Sequence, residues 1–303
     1  MNLHKNLQEF YDTILVVSEK LNISPAIIEK DYYVTIFLEA LSKRVKNLLF
    51  KGGTSLSKCY KIINRFSEDI DLTLDVENQT QWNKKNLKYE IINVCDELGL
   101  EIINKEEIRS RRDYNKYEIK YPMLFNEIGI KPYLLVETVF IVKSFPDEIK
   151  SATSFIYDFL KEIKDDIAIE KYEMHPFEIR VQTLDRTLID KVFALCDYAV
   201  SNNTTGYSRH IYDLYKLLNI VILDDKLKLL AKEVREERKK HVRCYSAHDE
   251  YDIPSILRKI IEEKIYYKDY EEITKKVLFD RIKYETSITA LYKIIESGVF
   301  EKK

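Results

Sequence analysis

The 303-residue chain has few of the residues that loosen or cross-link a polypeptide. It contains only six glycines and six prolines, which argues against a long flexible linker. Its four cysteines lie far apart, and their positions show none of the paired spacings of a zinc site or a disulfide framework. We therefore expect a chain that folds without cross-links in a reducing compartment.

Long apolar segments and an excess of one charge are also missing. The first residues, MNLHKNLQEF, are too polar for a signal peptide, and no apolar run approaches the length of a membrane span. The formal net charge is −2, so any contact with nucleic acid has to come from local basic patches. These features predict a cytoplasmic protein that has no membrane partner.

Apolar and aromatic residues, in contrast, are plentiful. Hydrophobic residues make up 45% of the chain and aromatic residues 12%, with 22 tyrosines. A chain of this length and composition can bury a sizeable core, as one large domain or as two modest ones.

The clearest local pattern lies between Leu48 and Leu74. The apolar run Leu48–Phe50 predicts a strand, and the pair Gly52-Gly53 ends it. Glycine has no Cβ, so the backbone at this pair can approach a ligand closely. Thr54 and Ser55 follow as the predicted N-caps of the next helix.

An acidic cluster precedes the second predicted strand, Ile70 to Leu74. It consists of Glu68, Asp69 and Asp71. Residues two apart on a strand share a face, so the last two carboxylates point the same way. Two carboxylates opposite a glycine turn can hold Mg²⁺ against a triphosphate.

These two motifs together resemble a known family. The residues Gly52-Gly53-Thr54-Ser55, followed by Arg65-Phe66-Ser67-Glu68-Asp69-Ile70-Asp71-Leu72, are similar to the AbiEii-type nucleotidyltransferase toxins, which include MenT-like toxins. That family acts in bacterial type IV toxin–antitoxin and abortive-infection systems and belongs to the DNA polymerase β-like nucleotidyltransferase superfamily. The resemblance covers most of residues 25–220.

The resemblance implies an α+β fold with a polymerase β-like core, in which helices flank a mixed sheet. We expect residues 1–170 to form the nucleotidyltransferase domain, including N-terminal helices. Residues 171–303 are then a mainly helical C-terminal domain that contributes Lys191 and Asp213. Within the N-terminal helices the run Glu29 to Tyr33 also resembles the family, and we interpret it as a support of the site rather than a solvated helix face.

Further along the chain, the apolar run of a predicted strand at 132–142 contains one acid, Glu137. A carboxylate inside a buried strand is costly unless something pairs with it. A buried salt bridge is one explanation. The other is a third metal-coordinating acid, because the family pattern also has an acid on such a strand.

Two predicted helices carry charged residues with alternative interpretations. Lys191 lies on the flank of an apolar helix face, as a surface lysine would, but the resemblance implies a place in the nucleotide site. Arg209 and Asp213 are one helical turn apart, which suits an exposed ion pair, but they match the Arg-x-x-x-Asp element of the family. His210 is assigned no role.

The resemblance further implies a Mg²⁺-dependent transfer of NMP from an NTP to an RNA acceptor, with the tRNA 3′ end as first choice, which blocks translation. The alternatives are nucleotidylation of a protein hydroxyl and a non-catalytic module that binds a nucleotide or an antitoxin. The antitoxin is expected from a neighbouring gene. The residues alone do not distinguish whether Asp213 orients Lys191 or helps to deprotonate the acceptor.

The predicted site residues divide by role. One or two Mg²⁺ ions would be held by Asp69, Asp71 and Glu137. The catalytic residues would be Asp69, Asp71, Lys191 and Asp213. The nucleotide would be bound by Gly52, Gly53, Thr54, Ser55, Ser67 and Arg209.

Ser67 lies two residues before Asp69, and we consider two roles for it. A phosphate on Ser67 would add negative charge beside the carboxylates and silence the enzyme, as happens in some toxins of the family, with Thr54 and Ser55 as alternative positions. Otherwise Ser67 caps the turn into the strand. Two basic patches, Lys239–Arg243 and Arg109–Arg112, are candidates for contacts with RNA phosphates.

Overall fold

The computed structural model describes residues 2–110 and 112–302, so Arg111 of the second basic patch lies outside the described residues. The described residues group into two compact units. Unit 1 contains the chain up to Lys61 together with Ser67–Phe140 and Asp147–Val181. Unit 2 contains Ile62–Phe66, Ile141–Pro146 and the chain from Gln182 onward. The predicted division at residue 170 stays a prediction.

A mixed β-sheet organises unit 1. Across residues 2–110 and 112–302 it has seven strands in the order β3-β4-β5-β2-β1-β7-β6. The strands are β1 (Leu48–Lys51), β2 (Asp69–Leu74), β3 (Glu101–Ile102), β4 (Tyr114–Lys120), β5 (Leu134–Val139), β6 (Asp147–Ala152) and β7 (Phe177–Gln182). Helices flank this sheet, which confirms the predicted α+β class.

The register of the central strands determines which residues lie beside the acidic cluster of β2. Strand β2 pairs antiparallel with β1, so that Lys51 lies opposite Asp71. It pairs parallel with β5, so that Asp71 lies opposite Glu137. Strand β2 begins at Asp69, one residue before the predicted start at Ile70. The short β3 and the polar β6 were not predicted, because neither carries an apolar run.

The helices of unit 1 bury their apolar residues against the sheet. Helix α1 buries Phe10, Ile14 and Val17 at the spacing of an amphipathic helix. Ile70 and Leu72 of β2 are fully buried in the same core. The helices are α1 (Leu7–Leu21), α2 (Pro25–Arg44), α3 (Gly52–Lys58), α4 (Gln81–Leu98), α5 (Phe155–Glu162) and α6 (Asp166–Tyr172).

Unit 2 is mainly helical, and α7 and α8 are its central helices. Thr183 caps α7 by accepting a hydrogen bond from the N–H of Arg186. The segment Ile62–Phe66 joins this unit through a bridge between Arg65 and Leu278. The helices are α7 (Leu184–Val200), α8 (Arg209–Leu217), α9 (Asp225–Lys239), α10 (Ile253–Glu262), α11 (Tyr267–Asp269), α12 (Lys275–Val277), α13 (Tyr284–Ser287) and α14 (Thr289–Glu296). A π-helical turn, Tyr270–Thr274, connects α11 and α12.

Every helix in the described part of the chain is too short or too polar to cross a membrane.

Candidate active site

Three carboxylates share one face of the sheet in unit 1. Asp69 and Asp71 lie two residues apart on β2, and Glu137 lies opposite Asp71 on β5. We call these three residues the acid face. Among the described residues, no three His, Cys, Asp or Glu side chains converge tightly enough to enclose a metal ion. The strands bring the predicted metal acids to one face of the sheet. There Asp69 contacts Lys131 and Glu137 contacts Tyr114.

Gly52 is the residue that lets the glycine turn meet this face. Its φ is +79°, a conformation that favours glycine. A Cβ at this position would collide with the carboxylate of Asp71. The backbone at Gly52 therefore makes a close approach, but in this structure it approaches Asp71, one of the predicted catalytic residues.

Thr54 and Ser55 do not cap the helix, so that prediction is wrong. Helix α3 begins at Gly52 with Lys51 at the N-cap position, because the positive φ of Gly52 already turns the chain. Both hydroxyls lie inside the helix and are buried. The Thr54 hydroxyl donates a hydrogen bond to the carbonyl oxygen of Asp69 at 2.5 Å. Its oxygen lies 3.0 Å from the Ser67 hydroxyl, with which it shares a second hydrogen bond. Thr54 thus fixes the start of β2.

A substitution at Gly52 tests the close approach of its backbone to Asp71. Gly52→Ala adds strain at a positive φ and a clash with Asp71, and we expect it to abolish transfer at a stability cost of about 1–3 kcal/mol. Gly99→Ala is the matched control, because Gly99 also has a positive φ but has nothing within 4 Å of an added Cβ. Melting temperature and nucleotidyl transfer are measured for both variants. Equal activity in the two would show that the approach to Asp71 is unimportant.

Two lysines and Glu68 hold the start of β2. Lys131 contacts Asp69 Oδ1 at 3.1 Å and Glu68 Oε1 at 3.5 Å through its ammonium group. The fully buried Lys30 of α2 donates to Glu68 Oε2 at 2.5 Å and to the carbonyl oxygen of Lys131 at 2.7 Å. Burial by itself lowers the pKa of Lys131, but the charges of Asp69 and Glu68 outweigh this effect and raise it. The two lysines thus neutralise the acidic cluster from one side.

The surrounding run Glu29–Tyr33 is also largely buried, so the alternative of a solvated helix face is wrong. Glu29 accepts hydrogen bonds from the N–H groups of Leu124 and Phe125. Asp31 accepts from Lys58 at 2.5 Å. Asp31 also accepts a hydrogen bond from the Phe155 N–H at 2.8 Å. This part of α2 therefore connects α3 to two further segments of unit 1, at Leu124–Phe125 and at Phe155.

Glu137 is half-buried rather than enclosed. Its Oε1 accepts a hydrogen bond from the Tyr114 hydroxyl at 2.8 Å. Burial and the adjacent Glu137 carboxylate raise the pKa of Tyr114, so Tyr114 stays a hydrogen-bond donor. Glu137 therefore lies on the acid face with the Tyr114 hydroxyl as its hydrogen-bond donor.

A buried charge cluster lies in unit 2. Asp213 is fully buried and accepts two hydrogen bonds from Arg65, from Nε and Nη2, each at 2.7 Å. It also accepts one from Lys191 Nζ at 2.5 Å. Burial alone would raise the pKa of Asp213, but Arg65 and Lys191 outweigh burial and hold it well below its usual range. We call these three residues the buried triad.

This triad decides between the alternatives for unit 2. The surface interpretation of Lys191 is wrong, because its side chain is 6% exposed and paired. An exposed Arg209–Asp213 pair is wrong as well, because Asp213 is fully buried. Arg209 lies at the start of α8 and is close enough for its charge to act on Lys191.

Comparison with protein families gives one match that covers most of the chain. The model of the family described as "Nucleotidyl transferase AbiEii toxin, Type IV TA system" matches residues 36–291. The matched range includes the acid face, the glycine turn and the buried triad. No curated protein matches the chain.

Proposed function

Because this chain belongs to the AbiEii family of nucleotidyltransferase toxins from type IV toxin–antitoxin systems, we propose that it transfers NMP from an NTP to an RNA hydroxyl. The proposed acceptor is the 3′ end of tRNA, and its modification would block translation. In the reaction an acceptor oxygen bonds to the α-phosphorus, the bond to the β-phosphate oxygen breaks, and pyrophosphate and a proton leave. A partner antitoxin and an NTP substrate follow from the family.

The observation that carries this proposal is the position of Asp71. It lies opposite Glu137 in the sheet, and its carboxylate lies against Gly52. Carboxylates are the oxygen ligands that Mg²⁺ prefers, and the acid face offers three of them. The ammonium of Lys131 beside Asp69 indicates that this position attracts a cation. We therefore propose that Asp69, Asp71 and Glu137 hold Mg²⁺. The metal would neutralise charge on the phosphoryl oxygens.

The protein groups have separate tasks in this scheme. The backbone of Gly52 and Gly53 would contact the nucleotide phosphates. The Ser55 hydroxyl would fix that turn by donating to the Gly52 carbonyl oxygen at 2.9 Å, and the hydrogen bond between Thr54 and Ser67 would hold the turn near β2. Lys191 and Arg209 stay predicted residues of the nucleotide site, as the resemblance to the family implies. Lys131 would release Asp69 when a divalent cation binds there.

The state of Asp213 supports an orienting role. A carboxylate whose pKa is held well below its usual range is a weak base. Three hydrogen bonds from cations also occupy its lone pairs. We therefore assign Asp213 to fixing Lys191, and not to deprotonating the acceptor.

One experiment separates this function from its alternatives. The protein is incubated with each labelled NTP, Mg²⁺ and total tRNA, and the products are separated on a gel. We expect label on RNA. Label on protein would establish nucleotidylation of a protein hydroxyl instead. Absence of label on either would favour a non-catalytic module that binds a nucleotide or an antitoxin.

Ser67 is the proposed regulatory position of this site. It is half-buried, whereas Thr54 and Ser55 are 1% and 0% exposed, so a modifying enzyme reaches Ser67 more easily. A phosphate adds about −1.5 to −2 charges, here two residues before Asp69. It would also break the hydrogen bond with Thr54.

We expect Ser67→Glu to lower transfer at least about tenfold more than Ser67→Ala, because only the former adds charge beside the acid face. Activity and melting temperature are measured for both variants. Mass spectrometry of the protein co-expressed with the product of its neighbouring gene then shows whether Ser67 is modified. An unmodified Ser67 in fully inactivated protein would refute phosphorylation as the switch.

A further inference from the structure

The first half of α4 concentrates positive charge and exposed aromatic rings. Gln81 to Tyr89 contains three lysines and no acid, in a chain with 51 acids and 49 lysines and arginines. Trp82 is 70% exposed and Tyr89 is 51% exposed. The ammonium of Lys85 lies 5.5 Å from the centre of the Tyr89 ring. Exposed rings beside cations are the combination with which proteins bind single-stranded nucleic acid.

The loop before β4 extends this surface. Lys88 Nζ donates to the carbonyl oxygen of Ile108 at 3.3 Å, and Lys84 Nζ pairs with Asp113 Oδ1 at 2.6 Å. These contacts hold the loop against α4. Arg109 and Arg112 on the loop are exposed. Because Lys84 neutralises Asp113, the charge of the combined surface stays positive.

The loop leads from this surface round the end of the sheet to the acid face. Leu87 and Ile91 of α4 pack in one core with Ile70 of β2, on the side of the sheet opposite the acids. Tyr114 follows Asp113 directly, is 44% exposed, and donates its hydroxyl hydrogen bond to Glu137. A nucleic-acid strand bound along α4 would therefore have to follow the loop past Tyr114 to reach the carboxylates proposed to act in transfer.

We propose that Trp82, Lys85, Tyr89, Arg109 and Arg112, which we call the α4 surface, bind the single-stranded segment of RNA that carries the acceptor hydroxyl. Lys85 and the two arginines contact phosphates, and Trp82 stacks on a base. This inference rests on the proposed function, since it takes RNA as the acceptor. It adds the surface that guides RNA to the acid face.

Two matched double variants test the charges of the α4 surface in the full-length protein. Lys85→Gln/Arg112→Gln removes two cations from it. Lys226→Gln/Lys232→Gln removes two exposed cations from α9. Binding of labelled tRNA is measured at several salt concentrations. Each lost phosphate contact lowers the slope of log K against log salt by about 0.7. We expect a slope lower by about 1.4 and binding weaker by about tenfold only in the first variant.

The single tryptophan of the chain supplies an independent readout. Trp82 is the only tryptophan, so its fluorescence reports on this surface alone. We expect tRNA to quench it, and Trp82→Leu to weaken tRNA binding by about tenfold. Unquenched fluorescence, or equal salt slopes in both double variants, would overturn the inference.

The outcomes distinguish the surface from the function. RNA that is labelled normally by Lys85→Gln/Arg112→Gln, with an unchanged salt slope, refutes the α4 surface and leaves the RNA-modifying function intact. Label on protein instead of RNA refutes the proposed acceptor. Quenching of Trp82 by an acidic protein partner but not by tRNA assigns the surface to that partner and overturns the inference.

Discussion

Asp71→Asn is expected to abolish nucleotidyl transfer while the protein stays folded. Asparagine keeps the shape of aspartate but removes the negative charge that would hold a metal ion. Without that ion, the charge on the phosphoryl oxygens would not be neutralised. Loss of such stabilisation raises the barrier by several kcal/mol, or on the order of a thousandfold in rate. Asp69→Asn is expected to act in the same way. Transfer of label from NTP and the melting temperature are measured side by side.

Asp75→Asn is the matched control for charge and location. Asp75 follows the last residue of β2 and accepts hydrogen bonds from the backbone and side chain of Asn78. Its replacement should cost a little stability, as the loss of a cap does, about 1 kcal/mol, and leave transfer intact. Near wild-type turnover in a folded Asp71→Asn protein would refute the metal-dependent scheme for the acid face.

The sequence was sufficient to predict the acid face because its elements are local. Alternation on β2 is enough to put Asp69 and Asp71 on one side, and glycine at position 52 indicates a close backbone approach. The apolar run around Glu137 predicted its strand. The register that sets Glu137 opposite Asp71 depends on strand pairing between distant segments, and periodicity does not determine it.

The contacts of the remaining site residues escaped prediction because the partners are distant in the sequence. Arg65 and Asp213 are 148 residues apart, and Lys30 and Lys131 are 101 apart. Lysines are mostly exposed, so nothing in the local pattern marked Lys30, Lys131 or Lys191 as buried or half-buried. Resemblance to the family alone marked Lys191.

Asp213→Asn is expected to cost both stability and activity. It leaves Arg65 and Lys191 buried without their counter-charge, and breaking a buried pair in this way costs about 3–5 kcal/mol. The low pKa of Asp213 also makes stability depend on pH. Its contribution is complete above the unfolded pKa of about 3.9 and is lost as pH falls towards the folded value. In Asp213→Asn, the free energy of unfolding should therefore no longer show this decrease at low pH.

Asp197→Asn separates the activity effect from the stability effect. Asp197 is also buried in unit 2 and accepts hydrogen bonds from Arg238 Nη2 at 2.7 Å and from the Ser246 N–H at 2.7 Å. Its loss should destabilise the fold to a similar extent without touching the nucleotide.

Lys191→Met is a milder test, because Arg65 still pairs with Asp213. At a temperature where urea titration shows all variants folded, we expect Lys191→Met and Asp213→Asn to lose transfer by about a hundredfold or more, and Asp197→Asn to keep it. Equal activities per folded molecule would reduce the buried triad to a structural ion pair.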